Sequence, residues 1–118
     1  MVIFNTVLFN KNKWIRTYLS DLLIDPLAHY KKYKKKPWNI SVNDIVDSLR
    51  IDEIDMYVMS NEVADNPRTE HAIFAKTSAG EYCSYYFGDR GEGNHYYESF
   101  DPREGFEQYV RCMFYISH

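Results

Sequence analysis

The stretch HAIFAKTSAGEYCSYYFGDRGEGNHYYESFDPREGFEQYVRCMF, residues 71–114, decides the fold. Residues 71–77 and 81–87 are short runs of apolar, aromatic and β-branched side chains. Ser78-Ala79-Gly80 between them carries the turn chemistry of a hairpin. Residues 88–94 form a polar connection with three glycines, and residues 95–100 read as the next strand. Asp101 is placed to cap a helix, with Pro102 at its first position and Glu104 completing a capping box. Phe106, Tyr109, Val110, Met113 and Phe114 recur at the spacing of one helical face, which makes this closing helix the best-specified element.

Upstream of this stretch, Ser41 starts another helix, with Asp44 three residues on to complete an approximate capping box. Val42, Ile45, Val46 and Leu49 give that helix one apolar face. Residues 56–60 alternate like a strand, and residues 62–68, which contain Asn66-Pro67, read as a loop. Nearer the N-terminus, residues 2–9 (VIFNTVLF) read as a strand and Asn12 can cap the helix that follows. Trp14, Ile15, Tyr18, Leu19, Leu22 and Leu23 recur at helical spacing, and Pro26 ends or kinks that helix. Leu27, Tyr30 and Tyr33 carry a weaker stripe into a lysine run, and Pro37 marks a boundary. The order implies an α+β fold, an antiparallel meander of about four strands with helices packed on one face. The N-terminal strand and helix either extend that sheet or stand as an extension beside it.

The 118 residues are 45% apolar and 26% charged, the composition of one globular domain spanning residues 1–118. No apolar run approaches the length of a membrane-spanning helix. The N-terminus places its apolar run before its lysines, the reverse of a secretory signal. Cys83 and Cys112 form no disulfide framework and match no zinc spacing, so a cytoplasmic protein without metal or cofactor is expected. His29, His71, His95 and His118 are scattered, and nothing favours a catalytic Cys–His pair over two buried thiols. The glycines of residues 88–94 lack the Gly-Lys-Ser/Thr ending of a phosphate loop and the spaced aspartates of a calcium loop. These absences weigh against an enzyme.

Charge divides the chain. Residues 1–37 carry eight basic groups against two acidic ones, a net +6, while residues 38–118 carry six against fifteen, a net −9. The acidic body is repelled by nucleic acid and attracted to basic proteins. Asp44, Asp47, Asp52, Glu53 and Asp55 cluster within it and can steer such a partner. Tyr57, Tyr85, Tyr86, Tyr96 and Tyr97 are candidate anchors for a contact. Neighbouring strand residues face opposite sides, so one tyrosine of each adjacent pair lies on the far face. Lys31, Lys32, Lys34, Lys35 and Lys36 read as a secondary electrostatic arm, with Tyr30 and Tyr33 as stacking platforms if the arm meets nucleic acid.

From Ser41 onward the chain resembles small immunity proteins of bacterial polymorphic-toxin and contact-dependent growth inhibition systems. The likeness sits in Val42-Asn43-Asp44-Ile45-Val46-Asp47-Ser48-Leu49 followed by Met56-Tyr57-Val58. It continues in Tyr85-Tyr86-Phe87-Gly88-Asp89-Arg90-Gly91 and in Phe100-Asp101-Pro102-Arg103-Glu104-Gly105-Phe106. Gly105 stands where the pattern has Ala, and the basic N-terminal third has no counterpart in it. The resemblance implies an antitoxin that occludes the active or substrate-binding surface of a cognate toxin, often a nuclease. An inhibitor of a host defence complex encoded by a phage or mobile element fits the same features. A nucleic-acid-binding regulator using the lysine arm is the third reading, opposed by the acidic remainder.

Overall fold

A computed structural model describes residues 10–33, 36–65, 71–87 and 95–116 of the chain. The strand expected at residues 2–9, the glycine-bearing connection at 88–94, and Lys34 and Lys35 lie outside the described residues. The elements run α1 (Lys11–Ile24), α2 (Pro26–Lys32), α3 (Val42–Asp47), a 3-10 helix (Ile51–Tyr57), α4 (Asn61–Asp65), β1 (His71–Lys76), β2 (Tyr82–Phe87), β3 (His95–Ser99) and α5 (Pro102–Ile116).

Local chemistry sets most of these boundaries. Asn10, rather than Asn12, caps α1, its side chain accepting from Lys13 N at 3.0 Å. Pro26 ends α1 and opens α2, where a proline lacks no bond the helix needs, and Asp25 caps that helix through Ala28 N at 3.2 Å. Ser41 and Asp44 form a reciprocal capping box on α3, their bonds 3.0 and 2.9 Å long. Asp101 accepts from Arg103 N at 3.0 Å at the start of α5. Gly80, with φ of +93°, supplies the left-handed residue of the β1–β2 turn.

The described sheet has three antiparallel strands in the order β1-β2-β3. The expected strand at residues 56–60 is a correction. Ile54 and Tyr57 fall on one side of the 3-10 helix, whose turn holds three residues, and both are buried. Burial of that pair outweighs an alternation carried by only five residues. What remains strand-like is one rung, Met59 N donating to Phe74 O at 2.8 Å on the outer edge of β1. Residues 62–65 of the loop expected at 62–68 belong instead to α4, at whose start the Ser60 hydroxyl oxygen accepts from Val63 N at 3.4 Å.

Residues 74, 82, 84 and 97 share one face of the sheet by register, and α5 packs there. Phe106 and Tyr109 each lie 5.5 Å from Phe74 between ring centroids. Gly105 is required by that approach, since a Cβ at this position would stand 2.6 Å from Tyr82 Cβ. α5 lies against β2 at a distance only glycine permits. Helices are not confined to this face. Tyr85 points to the other, where its hydroxyl donates to Ala64 O of α4 at 2.7 Å.

The N-terminal helix is not an appendage. Ile15, Tyr18, Leu19 and Leu22 of α1 join Ile45, Ile54, Phe74, Phe106 and Met113 in one buried cluster. Tyr18 is fully buried, stacks on Phe114 at 5.7 Å and donates to Met113 Sδ at 3.8 Å. Each large apolar side chain so buried contributes on the order of 1.5–3 kcal/mol before ordering costs.

Candidate partner interface

The acids expected to steer a partner are tied to the protein's own bases. Asp44 accepts from Ser41 N and pairs with Lys11 at 3.3 Å. That backbone amide, seconded by Lys11, holds its carboxyl below the usual carboxylate range. Asp47 pairs with Arg103 of α5. Arg50 meets Asp52 at 3.3 Å and Glu53 at 3.5 Å, while Glu53 also accepts from Arg50 N at 2.8 Å. Asp55 accepts from the Tyr82 hydroxyl at 2.5 Å and lies 3.6 Å from Lys76. Five carboxylates are thus matched by four cations from α1, α5, β1 and the segment itself. Seen from beyond a Debye length, this segment presents little more than one net negative charge.

The tyrosines separate into three environments. Tyr57 is a correction: only 8% exposed and 5.3 Å from Phe106, it belongs to the core and offers no anchor. Tyr86 and Tyr97 are half-buried on the α5 face of the sheet. Tyr85 and Tyr96 oppose each other on the far face, their rings stacked at 6.1 Å.

Tyr96 combines exposure with fixed geometry. It is 63% exposed, yet it is braced by the Tyr85 ring and donates its hydroxyl to Glu98 Oε2 at 3.0 Å. Cys83 Sγ approaches the same hydroxyl at 3.5 Å. The contact with Cys83 and then that with Glu98 push the phenol above its ordinary pKa, so it stays protonated at neutral pH. A groove of about 330 Å³ runs beside it, lined by Asn61, Ala64, Ala75, Cys83 and Tyr85. Phe100, just past the end of β3, is 66% exposed.

The lysine arm is partly folded back. Lys32 Nζ lies 2.8 Å from Asp21 Oδ2 and 5.6 Å from the centre of the Tyr33 ring. Tyr33 donates to the same Asp21 oxygen at 2.5 Å and sets its ring edge-on to Trp14 and Tyr18. Burial, then Asp21, pushes its phenol up to about 12. Tyr33 is therefore engaged in packing and does not stand out as a stacking platform. Lys36 is half-buried, and the side chains of Tyr30 and Lys31 lie outside the described residues.

His29 gave no signal in the sequence beyond being one of four scattered histidines, yet it is 2% exposed. Nε2 donates to Tyr18 O at 2.9 Å, Nδ1 has no partner among the described residues, and the ring packs 4.3 Å from that of Tyr18. Burial lowers its pKa to about 4, so it is neutral across the physiological range. Cys83 and Cys112 are free and buried. Among the described residues no group of three His, Cys, Asp or Glu side chains is arranged to hold a metal ion. No helix there is long and apolar enough to cross a membrane.

No family of proteins, curated protein or solved structure matches the chain.

Proposed function

We propose that the chain is an inhibitor of the immunity-protein type, which binds a toxin and occludes its active or substrate-binding surface. The toxin in this reading is a basic nuclease domain. One observation carries the proposal, the exposed Tyr96 stacked on Tyr85 and hydrogen-bonded to Glu98. An aromatic side chain already fixed before contact loses little conformational freedom on binding, which is what a hot-spot anchor needs. Its hydrogen-bonded carboxylate, Glu98, and the net −9 of residues 38–118 favour a basic partner. The resemblance of the chain from Ser41 to the C-terminus to immunity proteins supports the same role. The regulator reading loses support because Lys32 and Tyr33 are both engaged by Asp21.

The test is capture of a stoichiometric partner on the tagged protein in its host, followed by expression of that partner alone and with this chain. Growth arrest by the partner alone, relieved by the wild-type chain and not by Tyr96→Ala, is the expected result. A partner that leaves growth unaffected, or relief indifferent to Tyr96, overturns the proposal.

A further inference from the structure

A second concavity lies between the start of α3, β3 and α5. Its volume is about 410 Å³, and Val42, Ser84, Tyr96, Tyr97, Gln108, Arg111 and Cys112 line it. That size falls in the range of roughly 300–1,000 Å³ occupied by small-molecule sites. The register places Ser84 opposite Tyr97, so both project to the α5 face, where Gln108 and Arg111 meet them one helical turn apart.

The polar heads in this pocket are unspent. Ser84 belongs to a residue only 3% exposed, yet its hydroxyl has no protein partner among the described residues, and neither has the Tyr97 phenol or the Gln108 carboxamide. Ser84 is buried and Tyr97 and Gln108 are half-buried, so three polar heads open on the pocket and are free to meet a ligand with matching acceptors. Arg111 engages Glu107 through Nε, at 3.1 Å, which leaves the ends of its guanidinium for a further contact. Among the described residues no carboxylate lines the pocket, although the surrounding body is strongly acidic. Val42 and the tyrosine ring supply an apolar wall.

We infer that this pocket binds a small organic carboxylate with an apolar or aromatic body. The carboxylate meets Arg111 and the Ser84 and Tyr97 hydroxyls, the body lies against Val42, and Gln108 bonds either end. Tyr96 borders this pocket as well, but the pocket is read with small-molecule probes and Arg111 and the inhibitor reading with the protein partner, so the failure of one and the failure of the other are separately visible.

Phenylacetate, phenethyl alcohol and phenethylamine are matched probes differing in the charge of one end. Titrated into the isotope-labelled full chain at up to roughly 1 mM, the upper limit of weak specific binding, phenylacetate is expected to shift the amide signals of residues 84, 97, 108 and 111. It is expected to bind about tenfold or more tightly than the alcohol or the amine. Arg111→Gln, at a half-exposed position where folding is not at stake, removes the preference for the carboxylate over the alcohol while binding of the alcohol is kept. Absence of localised shifts with phenylacetate, equal binding of the three probes, or preference for the amine overturns the inference.

Discussion

The acid-rich segment of residues 41–57 and the β3 face around Tyr96 look alike as sequence, since both carry polar and aromatic groups typical of interfaces. In the folded chain they differ. The segment spends its side chains on its own fold: Asp44 on a helix start and Lys11, Asp47 on Arg103, Asp55 on Tyr82 and Lys76, Tyr57 on the core. The β3 face leaves a large ring in water and braces it there. Density of charge in a sequence is therefore no measure of the charge a fold leaves free, and the proposed contact rests on the ring that the fold leaves exposed and braced.

The sharpest way to break this comparison is to truncate one tyrosine on each side. Tyr57→Ala empties a core site and is expected to cost about 3–5 kcal/mol, read as a lowered denaturant midpoint. Tyr96→Ala is expected to change stability by less than about 0.5 kcal/mol while weakening partner binding by about 30-fold or more. Similar stability losses in the two variants would erase the distinction.

A second, smaller effect concerns His29, whose burial ties the N-terminal helices to the same core. Its pKa is about 4 folded and near 6.5 unfolded. Between those values the unfolded chain binds a proton that the folded chain refuses, so stability falls as pH drops through that window. The full shift corresponds to about 3 kcal/mol, present above pH 6.5 and lost by pH 4. His29→Phe is expected to flatten this slope in urea titrations at a series of pH values. An unchanged slope would show that the ring is not sealed from water.

Gly105→Ala tests the closeness of α5 to β2. Overpacking of this kind costs typically about 1–3 kcal/mol, and the thermal midpoint reads it. Ser41→Ala removes one half of the α3 capping box and is expected to cost about 1 kcal/mol, with no effect on partner affinity. A loss of affinity in that variant would return the acid-rich segment to the interface.

The legible parts of the fold are those specified by local chemistry. Gly80 and the Asp101-Pro102 start fixed the hairpin and α5, and the strands expected at 71–77, 81–87 and 95–100 end within one residue of those observed. Residues 56–60 mislead as sequence because Ile54 and Tyr57 answer to a three-residue period that five alternating positions hide. The site was legible only in part. Strand alternation separated Tyr85 from Tyr86 and Tyr96 from Tyr97 correctly. The partners of the acids were invisible, since Lys11 is 33 positions from Asp44 and Arg103 is 56 from Asp47, brought together only by tertiary packing. The need for glycine at position 105 was likewise a property of β2, not of the helix that contains it.

The central claim, that the β3 face and not the acid-rich segment holds the partner, is tested most directly by measuring the affinity of the captured partner for two variants. One is Tyr96→Ala, the other the combined Asp44→Asn, Asp47→Asn and Asp55→Asn. The account predicts that Tyr96→Ala weakens binding by about 30-fold or more, the loss typical of a hot spot, and that the triple variant, while still folded, changes it by only a few-fold. Affinity retained in Tyr96→Ala and lost in the triple variant would contradict it.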